Sequence, residues 1–498
     1  RDINRTADYI AALYPGFNVK KVMWDSYKRM ETATGFRYPD CTNIIKAQQK
    51  TGALIMDFSG HGEPLSISHE RVLDIDDFDA FKNNNLPVWI TASCNIGPFD
   101  GTSTTIGESI LLNPNGGGVA FYGTTRTVYS NYNEHTNKAF LEIALKTENG
   151  KRITLGNANR RVKEYLVTSG KDKSVNKLQY SLLGDPAIVL NVPVATCVVD
   201  SINGMKVGES GMLKLNANSK VRIKGHVSDG QNVMSDFCGL LSMLVRDNRE
   251  MLECLGNDPE LDEVFTYNDR TKTLFSGTDS VRNGLFDITF VVPKDINYSD
   301  ENGLITMFAY TSDGKITAHG ECDDFLVGGY TTQHNDSIGP SVYCYLNSPM
   351  FVNGGDVNST PFFVAEIRDA DGINASGAGI GHDMQLVIDN DANMTFNLNE
   401  NFTYNFGTYT EGMTYSYMPQ LEPGYHTLQF RVWDVMNNPS VTSLSFNVVA
   451  GLPPNIVDIN AVQNPVQSTT SFIVTHNRPG SEFDIVIEIF DMSGGLLH

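Results

Sequence analysis

The chain has 498 residues, too many for a single hydrophobic core, and carries 37 basic against 58 acidic side chains, a net charge of −21. That balance argues against nucleic acid as a partner, since affinity for phosphates comes from basic side chains. No apolar stretch reaches the roughly 18–20 residues of a membrane-spanning helix. Charged residues make up only 19%, while Asn, Gly, Thr, Tyr and Phe are abundant, as in secreted β-rich chains.

The sequence opens at Arg1 without an initiator Met and closes at His498 just after an apolar run, so it reads as an internal piece of a longer protein. Ile3, Ala7, Ile10, Ala11 and Tyr14 share one helical face. Asn18–Trp24 (NVKKVMW) reads as a strand and Thr42–Gln49 as a short helix. Three apolar runs follow: Ala53–Phe58 (ALIMDF), Val88–Ala92 (VWITA) and Gly118–Tyr122 (GVAFY). Continuous apolar runs suit strands covered on both faces of a parallel sheet. Helix candidates at Ile75–Lys82, Ile106–Leu112, Asn133–Lys146 and Leu155–Thr168 separate or follow them, so residues 1–193 are expected to form an α/β domain with a mainly parallel sheet. Its first strand is expected upstream of Arg1.

Beyond about Val194 the pattern changes to period-2 alternation broken by turns, as in Lys220–His226, Leu285–Val292 and Thr427–Trp433. In the last of these, Leu428, Phe430 and Val432 face one way and Gln429 and Arg431 the other. β-Sandwich domains are therefore expected over 194–334 and 335–450, with a partial one over 451–498.

The chemistry is expected at the carboxyl ends of the parallel strands, where an open α/β sheet places its site. ALIMDF runs into Ser59-Gly60-His61-Gly62 and VWITA into Ser93-Cys94-Asn95. If these strands are neighbours, both side chains leave the same edge. A thiol with an ordinary pKa near 8.5 is only a few per cent thiolate at neutral pH. An adjacent imidazole takes its proton and later protonates a leaving amine. Cys94 is thus the candidate nucleophile and His61 the candidate base. The backbone N–H groups of Gly62 and Cys94 are the candidate oxyanion hole. Seven cysteines occur without any C-x-x-C, which excludes a zinc ribbon; Cys238 with Cys254 and Cys322 with Cys344 are candidate disulfides. No cofactor or metal site is assigned.

FSGHG (58–62), TASCN (91–95), GGGVAFYGTTR (116–126) and SLLGDPAIVL (181–190) together resemble the caspase/gingipain group of cysteine peptidases. Within it the likeness is to the gingipain-type C25 branch; the caspase signature Gln-Ala-Cys-x-Gly is absent. The resemblance implies a caspase-like fold for the first domain, with Cys94 and His61 as nucleophile and base. SGAGIGHDMQLVID (376–389), YHTLQFRVWDVMNN (425–438) and the tail NPVQSTTSFIV…IEIFDMSGGLL resemble Ig-like modules of the type IX secretion pathway of Bacteroidetes. A peptidase domain followed by such modules is similar to the surface sortases of that pathway. That likeness implies cleavage of the C-terminal signal domain from secreted proteins and transfer of the acyl-enzyme to an anionic lipopolysaccharide. It also implies residence at the bacterial cell surface, peripheral to the outer membrane, through a partner such as PorV. The family's acidic partner for the histidine has candidates in Asp25, Asp2 and Asp8.

Two further features have simpler readings. Asp74, Asp76, Asp77 and Asp79 suit a helix N-terminus, where the dipole favours acids. Asp369, Asp371 and Gly372 look like half of a calcium loop without its distant Glu. His69, His135 and His382 close no buried strand and rank below His61.

Overall fold

The computed structural model describes the chain except for residues 34, 149, 210–212, 258–262, 333–335, 377–380, 464–469, 480, 482, 484–485, 490–492, 494 and 496–498. Residues 377–380 of the 376–389 motif and much of the tail motif therefore lie outside the described residues.

The apolar runs become the sheet. Ile55–Ser59 (β1), Val88–Ala92 (β2) and Ala120–Thr124 (β3) run parallel, and Tyr180–Gly184 (β4) is antiparallel to β3, in the order β4-β3-β2-β1. Every residue of β2 and β3 is buried. Alternate side chains serve the two faces. Val88, Ile90 and Tyr122 pack with residues of α1 (Asp2–Leu13), α5 (Ser130–Ala144) and α6 (Leu155–Thr168). Trp89 and Phe121 pack with α3 (Ile75–Ala80), α4 (Ile106–Leu112) and Ile45 of α2 (Pro39–Thr51). The molecule is thus mixed α/β here, with helices on both faces of the sheet.

One expected element differs. Asn18–Met23 belongs to no sheet among the described residues, and it ends in a single 3-10 turn over Trp24–Ser26. A strand is defined by its ladder, and what ties this segment to strands is instead side-chain bonding: Lys21 donates to Asn268 O (2.7 Å) and Arg246 donates to Asn18 Oδ1 (2.5 Å). The acids at 74–79 do serve a helix start: Asp74 accepts the N–H of Asp77 (3.4 Å), and Asp77 accepts that of Asp74 (3.1 Å).

From Ala195 onward the chain is built of β-sheet. Strands between Ala195 and Tyr330 close over one core that includes Val221, Met243, Phe290 and Phe325. Strands between Ser341 and Val448 enclose a second, with Phe363, Phe430 and Phe446. Leu428, Phe430 and Val432 point inward as their alternation requires. Ile456–Ala461 then pairs with Phe472–His476. The acidic DADG segment is a turn: Asp369 accepts the N–H groups of Asp371 (2.9 Å) and Gly372 (3.0 Å). All seven cysteines are free, and neither candidate disulfide is formed.

A hairpin arm joins the first β region to the α/β unit. Glu250–Glu253 (β5) pairs with Thr266–Asp269 (β6), and its backbone wraps Asp25. Leu255 N–H donates to Asp25 O (2.7 Å), while Gly256 and Asn257 N–H donate to the Asp25 carboxylate (3.2 and 2.8 Å). Met23 packs with Cys254 and Tyr267 beneath this contact.

Helix α2 is tied to the sheet by one buried amide. Gln49, 1% exposed, donates to Gly117 O (2.6 Å) and Asn83 Oδ1 (3.1 Å) and accepts from Trp89 Nε1 (3.1 Å). Gln49→Leu leaves an indole N–H buried without its partner, so thermal or urea unfolding should show a loss of about 1–3 kcal/mol.

Candidate active site

The parallel pairing of β1 and β2 sets the site. Ser59 lies opposite Ala92 in the register, so His61 and Cys94, each two residues farther on, emerge from the same sheet edge. The loops behind them are in contact. A Cβ on Gly62 would stand 2.2 Å from Ser93 Oγ and 2.5 Å from Ile96 Cδ1, so only glycine permits this approach. Gly62 also pairs with Ile67 in a short antiparallel ladder, and Ser68 N–H donates to His61 O (2.9 Å).

The Cys94 loop is braced from the other side by the end of β3. Asn95 adopts φ 51°, the left-handed conformation that asparagine tolerates better than most residues. This turns its N–H onto Arg126 O (3.1 Å), and Gly97 N–H reaches Thr124 O (2.9 Å). The Thr124 hydroxyl donates to Ser93 O. Thr125 bonds Gln179 O, and Arg126 forms a two-pronged pair with Asp100 (3.1 and 2.5 Å). The segment Thr124–Arg126 therefore supports the nucleophile loop.

Cys94 is half-buried, and its thiol donates to Val128 O (3.3 Å). His61 is exposed and its ring stacks on that of His69, 4.9 Å away and 11° from parallel. The structure thus brings the two strand ends together but leaves the thiol–imidazole hydrogen bond unmade. Among the described residues no carboxylate bonds the His61 ring. The three acids considered as its partner are engaged elsewhere: Asp2 with Arg5 (2.6 Å), Asp8 with Lys21 (2.7 Å) and Asp25 with the hairpin arm. His382 bonds Asp295 (2.8 Å) and packs on the half-buried Trp433. His135 lies half-buried on α5.

Burial separates the cysteines. The thiols of Cys41, Cys197 and Cys344 are pushed up to about 12 and that of Cys322 to about 11 by desolvation, so they stay protonated and inert. Cys94 is neither so deep nor so dry.

Beneath the site lies a polar group not singled out in the sequence. Asp57, in the middle of β1, accepts both prongs of a bond from Asn137 Nδ2 on α5 (3.0 and 2.9 Å). Its side chain borders a cavity along β1 yet is surrounded by protein, and desolvation pushes its pKa up to about 7 despite the Asn137 bond. In the sheet Asp57 lies opposite Ile90, which lies opposite Tyr122. The buried hydroxyls of Tyr122 and Tyr180 have no hydrogen-bond partner among the described residues. Burial pushes the Tyr180 phenol well up, and the neighbouring Tyr122, Asp57 and Cys94 add to it. The signal for this cluster was present: one acid inside an otherwise apolar run.

The family model for peptidase family C25 matches residues 2–191. No curated protein matches the chain. Among solved structures the chain is similar to dimeric latent PorU from Porphyromonas gingivalis, at 32% identity over 76% of this chain and 36% of that one, with a TM-score of 0.37. It is similar to the complex of Porphyromonas gingivalis RgpB pro- and mature domains at 15% identity, over 57% of each chain, with a TM-score of 0.29. The Arg-specific cysteine proteinase gingipain R follows at 16% identity, over 58% of this chain and 56% of that one, with a TM-score of 0.27. The chain spans about a third of the length of the first and a little over half that of the others.

The raised pKa of Asp57 has a testable sign. Its unfolded value is about 4, so the folded state carries an increasingly costly charge as pH rises from there through about 7. Stability is lost over that window. Asp57→Asn should flatten the dependence, so that the melting temperature falls less between pH 5 and pH 8 than in the parent protein.

Proposed function

We propose, for a chain that belongs to peptidase family C25 through its residues 2–191, that it is a cysteine peptidase in which Cys94 is the nucleophile and His61 the general base. The observation that carries this is the β1–β2 register, which delivers both residues to one sheet edge and packs Gly62 against Ser93.

The reaction follows from the groups present. The thiol swings from Val128 O towards the imidazole, which leaves its stack on His69 to receive the proton. Thiolate attack on the scissile carbonyl gives an oxyanion at the mouth of the two loops. The N–H groups of Cys94 and Gly62 are its proposed donors, and removing one such donor costs roughly 3 kcal/mol of transition-state stabilisation. His61 then protonates the leaving amine, and a thioester remains on Cys94.

The finer reading is that of a surface sortase of the type IX secretion pathway. The thioester, formed on cleavage of a cargo protein's C-terminal signal domain, is passed to an amine on an anionic lipopolysaccharide, and an outer-membrane partner such as PorV holds the enzyme at the cell surface. Supporting it are the sequence likeness of residues 340–498 to modules of that pathway and the order of peptidase region before β regions.

Cys94→Ala in the full-length protein should leave cargo uncleaved and unanchored, with turnover down by at least about 10⁴-fold; normal cargo processing by that variant would refute the assignment. Incubating the active enzyme with cargo and an amine acceptor should yield ligated product by mass spectrometry. Hydrolysed product alone would leave a peptidase without transfer.

A further inference from the structure

The sheet edge that carries Cys94 has two sides, and His61 stands on only one of them. The order β4-β3-β2-β1 sets out along that edge the turn ahead of β4, the loop after β3, the Cys94 loop and the His61 loop. On the side of Cys94 away from His61, three large apolar side chains face solvent: Tyr129 (66% exposed), Val175 (65%) and Leu178 (61%). Single exposed apolar residues are ordinary on a surface, but these three are fastened to one another and to the nucleophile loop.

Val128 O accepts the Cys94 thiol (3.3 Å), and Tyr129 is the next residue. The Tyr129 N–H donates to Asn176 Oδ1 (2.7 Å). Asn176 is buried and opens a 3-10 turn over Asn176–Gln179, where Leu178 N–H donates to Val175 O (2.9 Å). Side chains three residues apart eclipse in such a turn, so Val175 and Leu178 share one face. Asp172 closes the turn from within. Its carboxylate, 0% exposed, accepts from Ser174 N–H (2.8 Å), Ser174 Oγ (2.6 Å) and Lys177 N–H (2.9 Å). Thr125 N–H donates to Gln179 O (2.9 Å) and so ties the turn to the end of β3. The exposed ionisable groups of this loop are Lys171 and Lys173, both basic. The acid Asp172 is sealed, and Asp100 beside the Cys94 loop is paired with Arg126.

We propose that Tyr129, Val175 and Leu178 form the subsite for the substrate side chain on the acyl side of the scissile bond, and select a large apolar residue there over a basic one. This rests on the peptidase reading, in which His61 protonates the leaving amine. The leaving segment then lies on the β1 side of Cys94, and the acyl segment extends over β3 towards Tyr129 and the turn ahead of β4. An apolar side chain laid on the strip takes apolar surface of both partners out of water. A basic side chain would meet two lysines and no exposed carboxylate on this loop, and would lose water without gaining a counter-charge. Because the turn is already built around Asp172, little ordering cost opposes the contact.

Peptidyl chloromethyl ketones test this on the full-length protein. The Cys94 sulfur bonds the methylene carbon of the probe and expels chloride, so labelling of Cys94, read by mass spectrometry, takes the place of turnover. The series acetyl-Ala-Ala-Xaa varies only Xaa, as Leu, Phe, Gly or Arg. Each rate is divided by that of iodoacetamide at Cys94, which reports the reactivity of the thiol alone. The Leu and Phe probes should label at least ~10-fold faster than the Gly probe, and the Arg probe no faster than Gly. Val175→Lys together with Leu178→Lys should bring the Leu-to-Gly ratio close to one; both side chains are mostly exposed, so the fold tolerates the change. Tyr129→Ser should lower the same ratio. A parent ratio near one, a preference for Arg, or a ratio unmoved by the double substitution would overturn the subsite and leave the nucleophile standing. Failure of every probe and of iodoacetamide to label Cys94 would overturn the peptidase reading and the subsite with it.

Discussion

The site depends on the parallel pairing of two short strands. Shifting β1 by one residue against β2 would send His61 to the opposite face from Cys94, since side chains alternate with period two. The register is held because β2 buries apolar side chains on both faces and Phe58 of β1 is buried with Trp89 in one of those cores. It is held again at the loops, where Gly62 and Ser93 touch and Thr124 clasps the Ser93 carbonyl. Neither residue of the pair has to be fixed by its own side-chain contacts. The backbone brings them together, and the rings and thiol remain free to turn.

What the sequence revealed follows from how local each signal was. The strands at Val88 and Gly118 and the helices at Ile106 and Leu155 were legible because continuous apolar runs and helical periodicity are properties of a few adjacent residues. Cys94 and His61 were legible because each closes such a run. Asn18–Trp24 carries the same signal as its neighbours, but strand formation requires a partner, which the segment itself does not encode. The roles of Asp25 and Asp57 were hidden for a related reason. Asp25 is held by backbone N–H groups more than 200 residues away. The lone acid in ALIMDF stood out, but Asp57 gains its character from an asparagine on α5 and from the depth of the sheet, neither of which that run encodes. The fate of Asp74 was readable, since a helix start is a local structure.

The hairpin arm ties the β regions to the chemistry by a route that bypasses the linear chain. Its grip on Asp25 holds the end of the segment that walls the cavity, and Cys254 and Phe265 border that same cavity. The β regions therefore help to shape the peptidase unit as well as following it in sequence.

The seven unpaired cysteines make the molecule its own indicator. Only Cys94 and Cys238 are not buried; the other five are sealed in the cores. A small alkylating reagent therefore meets two sulfurs in the native molecule and seven once it opens. The number of labels taken up counts intact molecules, and the site of the first label distinguishes a competent active-site thiol from a merely surface one.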